Sequence, residues 1–447
     1  KQIEHFRKAY SFIVYHIHFN ASAELLKKRY LKREEISELG KKDAVAKYEH
    51  AKSHPTEQQV NTLAAEADLC VDTELSTEED VFIRVASFLR LLAPTKNKLV
   101  DVLVGGQFGS EGKGQVAAHI APEYDCLVRV GGPNAGHTVY EEPAKHVFHL
   151  LPSGCHRNPR AKLLLGPGTV IDVERLLGEI SKYKIVDEFS KRLVIDENAI
   201  IISDADKALE QEIMHTISST GQGVGAATAN NIIARLYGHD KHKAKNNEKL
   251  KPFIGSTFDE LEYMYRNNKK ILLEGTQGTG LSLHHGIYPY VTSRDTSIAG
   301  CISEAGISPS RLNKVVMVTR TYPIRVGGSS GDFKSKEITM DIIAARSGKN
   351  PVDLKAKEKT TTTGKDRRIA EFSWELFRKS CELNSPSDIA LTFVDYFSIE
   401  NEKARRYDQL TPSTRQFIEE IERCSGVKVS LISTCFDYRA IIDRRNW

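Results

Sequence analysis

The sequence predicts an α/β protein, with a P-loop-like, mostly parallel central sheet covered by helices and an N-terminal helical extension. Three observations support this. Beyond residue 98 the chain alternates short, continuous apolar runs with helix-like stretches, as strands buried on both faces do. Several of these runs end in glycine-rich turns, at the carboxyl ends of strands where a parallel sheet gathers its ligands. Residues 1–97, in contrast, hold a single glycine, Gly40, among many good helix formers.

Two regions are therefore expected, a helical extension over 1–97 and an α/β domain over 98–447. In the extension, Ser76-Thr77-Glu78-Glu79 has capping-box spacing. Val81, Val85, Phe88, Leu89 and Leu92 follow it at helical intervals. His16 and His18 are two apart and share no helix face, so packing or solvation is expected of them rather than metal binding. Residues 93–98 read as a linker. In the second region, buried strands are expected at 99–104, 126–130, 163–165, 271–273, 315–318, 389–391 and 429–432. The basic stretch 239–251 reads as a solvated loop.

Composition narrows the class. The chain has 447 residues, 40% hydrophobic and 27% charged, as ordinary globular proteins have. A formal charge of +4 is too weak to argue for nucleic acid, but it suits small anionic ligands. Seven scattered cysteines without C-x-x-C spacing suggest neither a disulfide framework nor a zinc knuckle. No apolar run reaches membrane-span length and the first residues carry no signal-peptide pattern, so a cytoplasmic location is expected.

Four clusters carry chemistry. The first strand runs into Gly105-Gly106-Gln107-Phe108-Gly109-Ser110-Glu111-Gly112-Lys113-Gly114. Close glycines let backbone N–H groups approach phosphate oxygens, and Lys113 adds a mobile positive charge. It is not a Walker A loop, because Gln107 and Gly114 stand where that pattern needs glycine and Ser or Thr. The second cluster is Gly131-Gly132-Pro133-Asn134-Ala135-Gly136-His137-Thr138, whose histidine is placed to meet an oxyanion. The third joins Glu274-Gly275-Thr276-Gln277-Gly278-Thr279 to Tyr288-Pro289-Tyr290-Val291-Thr292-Ser293. In the fourth, Thr360-Thr361-Thr362-Thr363-Gly364-Lys365-Asp366-Arg367-Arg368, hydroxyls and cations suit an anion. Taken singly, each could be an ordinary polar turn.

Together, in this order, they resemble adenylosuccinate synthetase over residues 99–447, and the tail Ile432-Ser433-Thr434 resembles that family's closing strand. The resemblance implies a ligase. A nucleoside triphosphate phosphorylates the purine O6, the amine of L-aspartate attacks C6, and phosphate leaves. It implies that Gly109, Ser110, Glu111, Gly112, Lys113 and Gly114 hold the transferred phosphoryl, and that Gly136, His137, Thr138, Asp395 and Ser433 complete the nucleotide site. Among these, Ser110, Lys113, His137 and Gln277 match catalytic positions. Asn134, Ser219, Thr220 and Thr292 match positions at the monophosphate, and Gln277 one at the base. Arg235 and Arg325 match further substrate contacts, Arg235 across a homodimer interface. Thr362, Thr363, Lys365 and Arg367 match the loop that closes on aspartate. Mg²⁺ would meet the Gly136 carbonyl and Ser110.

The chain departs from the family pattern at four places. Ser110 replaces the aspartate that serves as base, and a base is typically worth about 10²–10⁴-fold. Lys365 replaces an arginine, losing a bidentate fork. Phe393 replaces the lysine of a guanine-reading T-K-x-D, although Asp395 remains. Gln222 replaces an arginine in Ser219-Thr220-Gly221-Gln222-Gly223. These changes resemble the family's branch of 2-aminodeoxyadenylosuccinate synthases, of the phage diaminopurine pathway, which use dGMP. The expectation is therefore dGMP, aspartate and ATP with Mg²⁺. The alternatives are IMP with GTP, or a catalytically weak nucleotide sensor with the extension as output.

Overall fold

The computed structural model describes residues 5, 8–9, 13–36, 41–92, 97–185, 192–217, 220–238, 240–359, 364 and 366–446. Contacts divide the chain into two units, 1–95 and 96–447. Most of the linker, together with Ser219, His239, Thr362, Thr363 and Lys365, lies outside the described residues.

The first unit holds helices Ala23–Ile36, Lys41–Ser53, Pro55–Leu63 and Glu78–Phe88. It also holds strands Ile17–Asn20 and Leu69–Asp72, paired parallel, which the helix-rich composition does not anticipate. His18 sits in the first of these strands. Neither His16 nor His18 joins a metal-ligating cluster among the described residues. The capping box forms one residue later than the predicted spacing. Thr77 Oγ1 accepts from the Asp80 N–H at 3.1 Å, and Asp80 Oδ2 accepts from the Thr77 N–H at 2.9 Å.

The second unit is built on ten strands: β1 (Val100–Gly105), β2 (Cys126–Arg129), β3 (Lys162–Leu165), β4 (Leu193–Asp196), β5 (Ile254–Gly255), β6 (Ile271–Glu274), β7 (Leu312–Arg320), β8 (Asp388–Thr392), β9 (Val429–Ser433) and β10 (Ile441–Asp443). Their order is β5-β4-β3-β2-β6-β1-β7-β8-β9-β10. Every neighbouring pair is parallel except β9–β10. All seven strands expected from apolar runs are in this sheet.

Those runs are continuous because both faces are covered. Val102, Leu273 and Met317 pack in one core cluster, while Leu103, Leu272 and Val316, one residue along, pack in another. Each such side chain contributes about 1.5–3 kcal/mol when buried. Asp101 interrupts β1 without leaving an unpaired charge. It accepts from Tyr124 Oη and Asn313 Nδ2, both at 2.8 Å, and from the Lys314 N–H at 3.0 Å.

Among the described residues three smaller sheets accompany the main one, the first a parallel pair of Val170–Ile171 with Ile200–Ile201. A hairpin pairs His137–Glu141 with Ala144–Phe148. A three-stranded antiparallel sheet places Arg367–Ala370 between Ile324–Val326 and Glu337–Ile338. No helix among the described residues is long and apolar enough to cross a membrane.

Candidate active site

The first three predicted clusters, with Arg367 of the fourth, meet at the carboxyl ends of the central strands; residues 360–363 and 365 of the fourth lie outside the described residues. After β1 the backbone turns through left-handed conformations at Gly109 (φ +88°), Ser110 (φ +54°) and Gly112 (φ +91°) before the helix Lys113–Ile120 begins. Glycine adopts these angles without a Cβ penalty; serine at 110 bears some strain.

The loop is already charge-balanced. Fully buried Glu111 accepts N–H bonds from Gln107 at 3.1 Å and Gly109 at 2.8 Å. Its other oxygen accepts from Lys113 Nζ at 2.6 Å. The same amine donates to the Gln277 carbonyl oxygen. Lys113 is therefore not the mobile charge expected from sequence, because Glu111 folds beneath the loop and holds it. The Glu111 carboxylate occupies N–H groups that a phosphate oxygen could use.

Gln277 carries the connection onward. Its Nε2 donates to Thr292 Oγ1 at 2.8 Å, and Asn134 Nδ2 approaches the same hydroxyl at 3.4 Å. Glu111, Lys113, Gln277, Thr292 and Asn134, from distant segments, thus form one hydrogen-bonded chain. Thr220 precedes the helix Val224–Ala234, and its carbonyl accepts from Gln222 Nε2 at 2.9 Å. The side chain that replaces an arginine therefore folds back on its own turn.

His137 opens the hairpin after β2. Its Nδ1 lies 2.5 Å from Glu274 Oε1, at the end of β6. Arg129 Nη1 is 3.3 Å from the same nitrogen and 3.5 Å from Glu274 Oε1. Ser153 holds Glu274 through its N–H at 2.7 Å and its hydroxyl at 2.5 Å. Burial, then the Arg129 charge, push the imidazole down to about 4. Burial opposes ionisation of Glu274, but Arg129 and then His137 outweigh it, and the carboxyl falls to about 2. A neutral imidazole donates Nδ1–H to this carboxylate, which leaves Nε2 for proton exchange. Arg129 also donates to the Ala135 carbonyl at 3.1 Å, fixing the turn that contains Gly136.

Across the loop, Arg367 Nη2 stands 3.4 Å from Ser110 Oγ, and Arg320 Nη1 donates to the Ser110 carbonyl at 3.3 Å. Glu358 binds both arginines, Arg320 at 2.5 Å and Arg367 at 2.8 Å. Arg325 is buried and donates to the carbonyls of Asp332 at 3.2 Å and Tyr290 at 3.0 Å, with its guanidinium 4.3 Å from the Phe108 ring centre. Burial, then Arg368, push it down to about 10.

Beside Arg367 opens a cavity of about 750 Å³, lined in part by Lys349, Glu358, Phe393, Asp395, Tyr396 and Cys435. Asp395 Oδ2 pairs with Lys349 Nζ at 2.8 Å, and Lys349 also meets Glu402. Burial pushes Asp395 up to about 6 against the pull of Lys349. Ser433, at the end of β9, donates to the Cys435 carbonyl at 3.0 Å. Arg235 stands apart, exposed on the turn Arg235–Tyr237, and makes no ion pair among the described residues.

Sequence reasoning gave no role to Arg129, Glu274, Arg320, Lys349 or Glu358. Three of these were findable: Arg129 and Glu274 end otherwise apolar buried strands, and Arg320 ends the buried stretch 315–320, where a charge requires a partner. Lys349 and Glu358 carry no such signal.

The sequence profile of the family described as "Adenylosuccinate synthetase" matches residues 102–238 and 236–402. This chain belongs to the adenylosuccinate synthetase family. It is 38% identical over 352 residues to the adenylosuccinate synthetase of Methanococcus aeolicus, covering 77% of this chain and 99% of that one. Against the Methanocaldococcus jannaschii enzyme it is 36% identical over 351 residues, covering 77% and 96%. Fully ligated adenylosuccinate synthetase from Plasmodium falciparum shares the fold, with a TM-score of 0.67, 24% identity, and 78% and 100% coverage. Cyanophage S-2L succinoaminodeoxyadenylate synthetase, bound to dGMP and dATP, superposes with a TM-score of 0.63 and 26% identity, covering 78% and 96%. As an adenylosuccinate synthetase homologue the chain is a carbon–nitrogen ligase of purine biosynthesis that joins aspartate to a purine nucleotide. The family uses Mg²⁺ and a nucleoside triphosphate.

Proposed function

We propose that the purine nucleotide is dGMP and the phosphoryl donor ATP. The observation that carries this reading is Ser110. It stands where the family pattern has an aspartate base, and its exposed hydroxyl faces Arg367. A hydroxyl is smaller than a carboxylate and accepts a hydrogen bond from an exocyclic amine, as the guanine 2-amino group requires. The cyanophage neighbour, whose structure holds dGMP and dATP, supports dGMP as the monophosphate and an adenine nucleotide as the donor.

In this reading the loop 105–114 and Lys113 bind the transferred phosphoryl, the Glu111 carboxylate yielding its N–H bonds to the incoming anion. His137, oriented by Glu274, meets charge developing at O6 and exchanges a proton through Nε2. Asn134, Thr220 and Thr292 hold the monophosphate, and Gln277 the base. Arg367 and Arg325, with the loop 360–365, bind the aspartate carboxylates. Asp395 and Ser433 lie at the donor nucleotide's cavity.

The Ser110 hydroxyl and the Gly136 carbonyl are hard oxygen donors of the kind Mg²⁺ takes. With a hydroxyl in place of a carboxylate, they fit an ion whose charge is balanced by the triphosphate. When bound, the ion neutralises charge on the transferred phosphoryl.

The N-terminal unit is read as an appendage outside the ligase core. A homodimer is supported by an exposed apolar strip beside Arg235, comprising Ile232 (53% exposed), Ile233 (51%) and Leu236 (74%).

A second reading, IMP with GTP, draws on retained Asp395 and on the names of the archaeal relatives. The test supplies purified protein with aspartate, ATP or GTP, and IMP, GMP, dIMP or dGMP in turn, and weighs the products. The mass of 2-amino-2′-deoxy-N6-succinyladenylate as main product is expected; adenylosuccinate as main product overturns the proposal. Phosphate release that ignores omission of aspartate or monophosphate points instead to a sensor or simple phosphatase.

A further inference from the structure

The hairpin that begins at His137 presents a second cluster that the ligase reading does not use. Glu141 and His146 lie on one face of the hairpin. In its register Val139 opposes His146 and Glu141 opposes Ala144, so the side chains of 139, 141, 144 and 146 share a side. His156 reaches this face from the turn after Ser153. Its Nε2 is 3.8 Å from Glu141 Oε2, and His146 Nε2 is 4.0 Å from the same oxygen. The ligand atoms of all three residues lie within 4.8 Å of one another.

The surroundings orient this cluster. Glu141 Oε1 accepts from Tyr438 Oη at 3.1 Å and stands 3.7 Å from Arg157 Nη1, which leaves Oε2 directed at the imidazoles. Phe148 and Tyr183 wall the site. Phe148 stacks on His156 with centres 5.6 Å apart, and Tyr183 lies 5.7 Å from His146. The two imidazoles stack at 4.5 Å. Nδ1 of His146 is buried without a hydrogen-bond partner, and the ring nitrogens of His156 are buried with no more than a weak contact to the Ser153 backbone. Buried imidazoles matched so poorly are costly. A coordinate bond would satisfy one of them.

We propose that Glu141, His146 and His156 form a binding site for a divalent transition metal of the zinc class, separate from the Mg²⁺ of the reaction. Two imidazoles and one carboxylate are a donor set that Zn²⁺ takes, with water in the fourth position. Tetrahedral bonds of about 2.0–2.1 Å put ligand atoms roughly 3.4 Å apart. The two Glu141–imidazole distances therefore close by roughly half an ångström on binding, with a turn of the stacked rings toward the ion. Burial holds both imidazoles below their ordinary value, so they are in the neutral form that ligates. An ion there ties the far end of the hairpin to the turn 153–156. Tyr140 and Glu142, on the hairpin's opposite side, line the cavity beside Arg367.

The test titrates metal-stripped, full-length protein with Co²⁺, followed by its visible absorption, and then displaces it with Zn²⁺. Wild type is expected to take up one Co²⁺ per chain in a tetrahedral site that Zn²⁺ empties. His146→Ala and His156→Ala are each expected to weaken that binding at least about tenfold. Both variants keep His137, so metal drawn to the active site is common to all three proteins and cancels. Ligase turnover in Mg²⁺ reports that the variants are folded. His156→Gln, which preserves bulk, serves if His156→Ala does not fold. Equal Co²⁺ binding by wild type and folded variants, or no binding by wild type, overturns the proposal.

Discussion

The Ser110 hydroxyl lies 3.4 Å from Nη2 of Arg367, so the phosphate loop and the strand following the threonine-rich loop meet at one polar contact. Glu358 fixes the arginine from behind at 2.8 Å. A carboxylate introduced by Ser110→Asp would face this guanidinium and stay ionised. The left-handed backbone at 110 tolerates aspartate as well as serine.

This sets the first prediction. If serine accommodates the guanine 2-amino group, Ser110→Asp impairs dGMP while leaving IMP unchanged or improved. The ratio of kcat/KM for dGMP over IMP is expected to fall by at least about tenfold, ~1.4 kcal/mol. Steady-state kinetics with both nucleotides measure it. An unchanged or rising ratio removes serine from substrate selection.

The second prediction concerns Glu274, which in the proposed reading positions His137. Glu274→Gln keeps the volume but removes the charge that holds Nδ1–H and balances Arg129. Turnover is expected to drop on the order of a hundredfold, with nucleotide KM values within about threefold of wild type. His137→Asn should show the same split. Loss of binding with normal residual turnover would assign the pair to ground-state binding instead.

Donor choice gives the third. Guanine recognition by a carboxylate needs an ionised acceptor for two N–H groups. Here one Asp395 oxygen is engaged by Lys349 at 2.8 Å, which leaves a single oxygen for the two N–H groups. ATP is expected to support the reaction at least as well as GTP in competition assays. A preference for GTP beyond about tenfold, ~1.4 kcal/mol, contradicts this.

The fourth is a pH effect. Burial opposes ionisation of Glu358, but Arg320 and Arg367 lower it from 4.5 to about 2. Its folded-state value is depressed, so its stabilisation is present above pH ~4.5 and fades as pH falls toward ~2. The contribution is on the order of 3 kcal/mol. Acid unfolding of Glu358→Gln should therefore be flatter than wild type between these values. Parallel curves would mean that the two arginines do not hold Glu358 ionised.

The sheet was legible from sequence because strands buried on both faces leave nearly continuous apolar runs, as at Lys162–Leu165 and Ile271–Glu274. The pair Ile17–Asn20 and Leu69–Asp72 was not, since each is four residues long and both lie in a region whose composition favours helix. Within the site, glycine and hydroxyl clusters marked the loops at 105–114 and 131–138. What they could not convey is that Glu111 pairs with Lys113 beneath the loop, or that Lys349 reaches Asp395. Such contacts between side chains depend on packing rather than on spacing along the chain.

The order of strands constrains how the protein is made. β1 pairs only with β6 and β7, which lie at residues 271–274 and 312–320. A chain emerging from the ribosome therefore carries β1 with both hydrogen-bonding edges open until residues 271–274 have been synthesised. Nor can β1 pair with β2, because β6 belongs between them. Long-range parallel pairing is slow, and open strand edges invite wrong partners. The sheet's centre therefore cannot close before β7 is made at residue 320, and truncations before residue 271 should aggregate rather than fold.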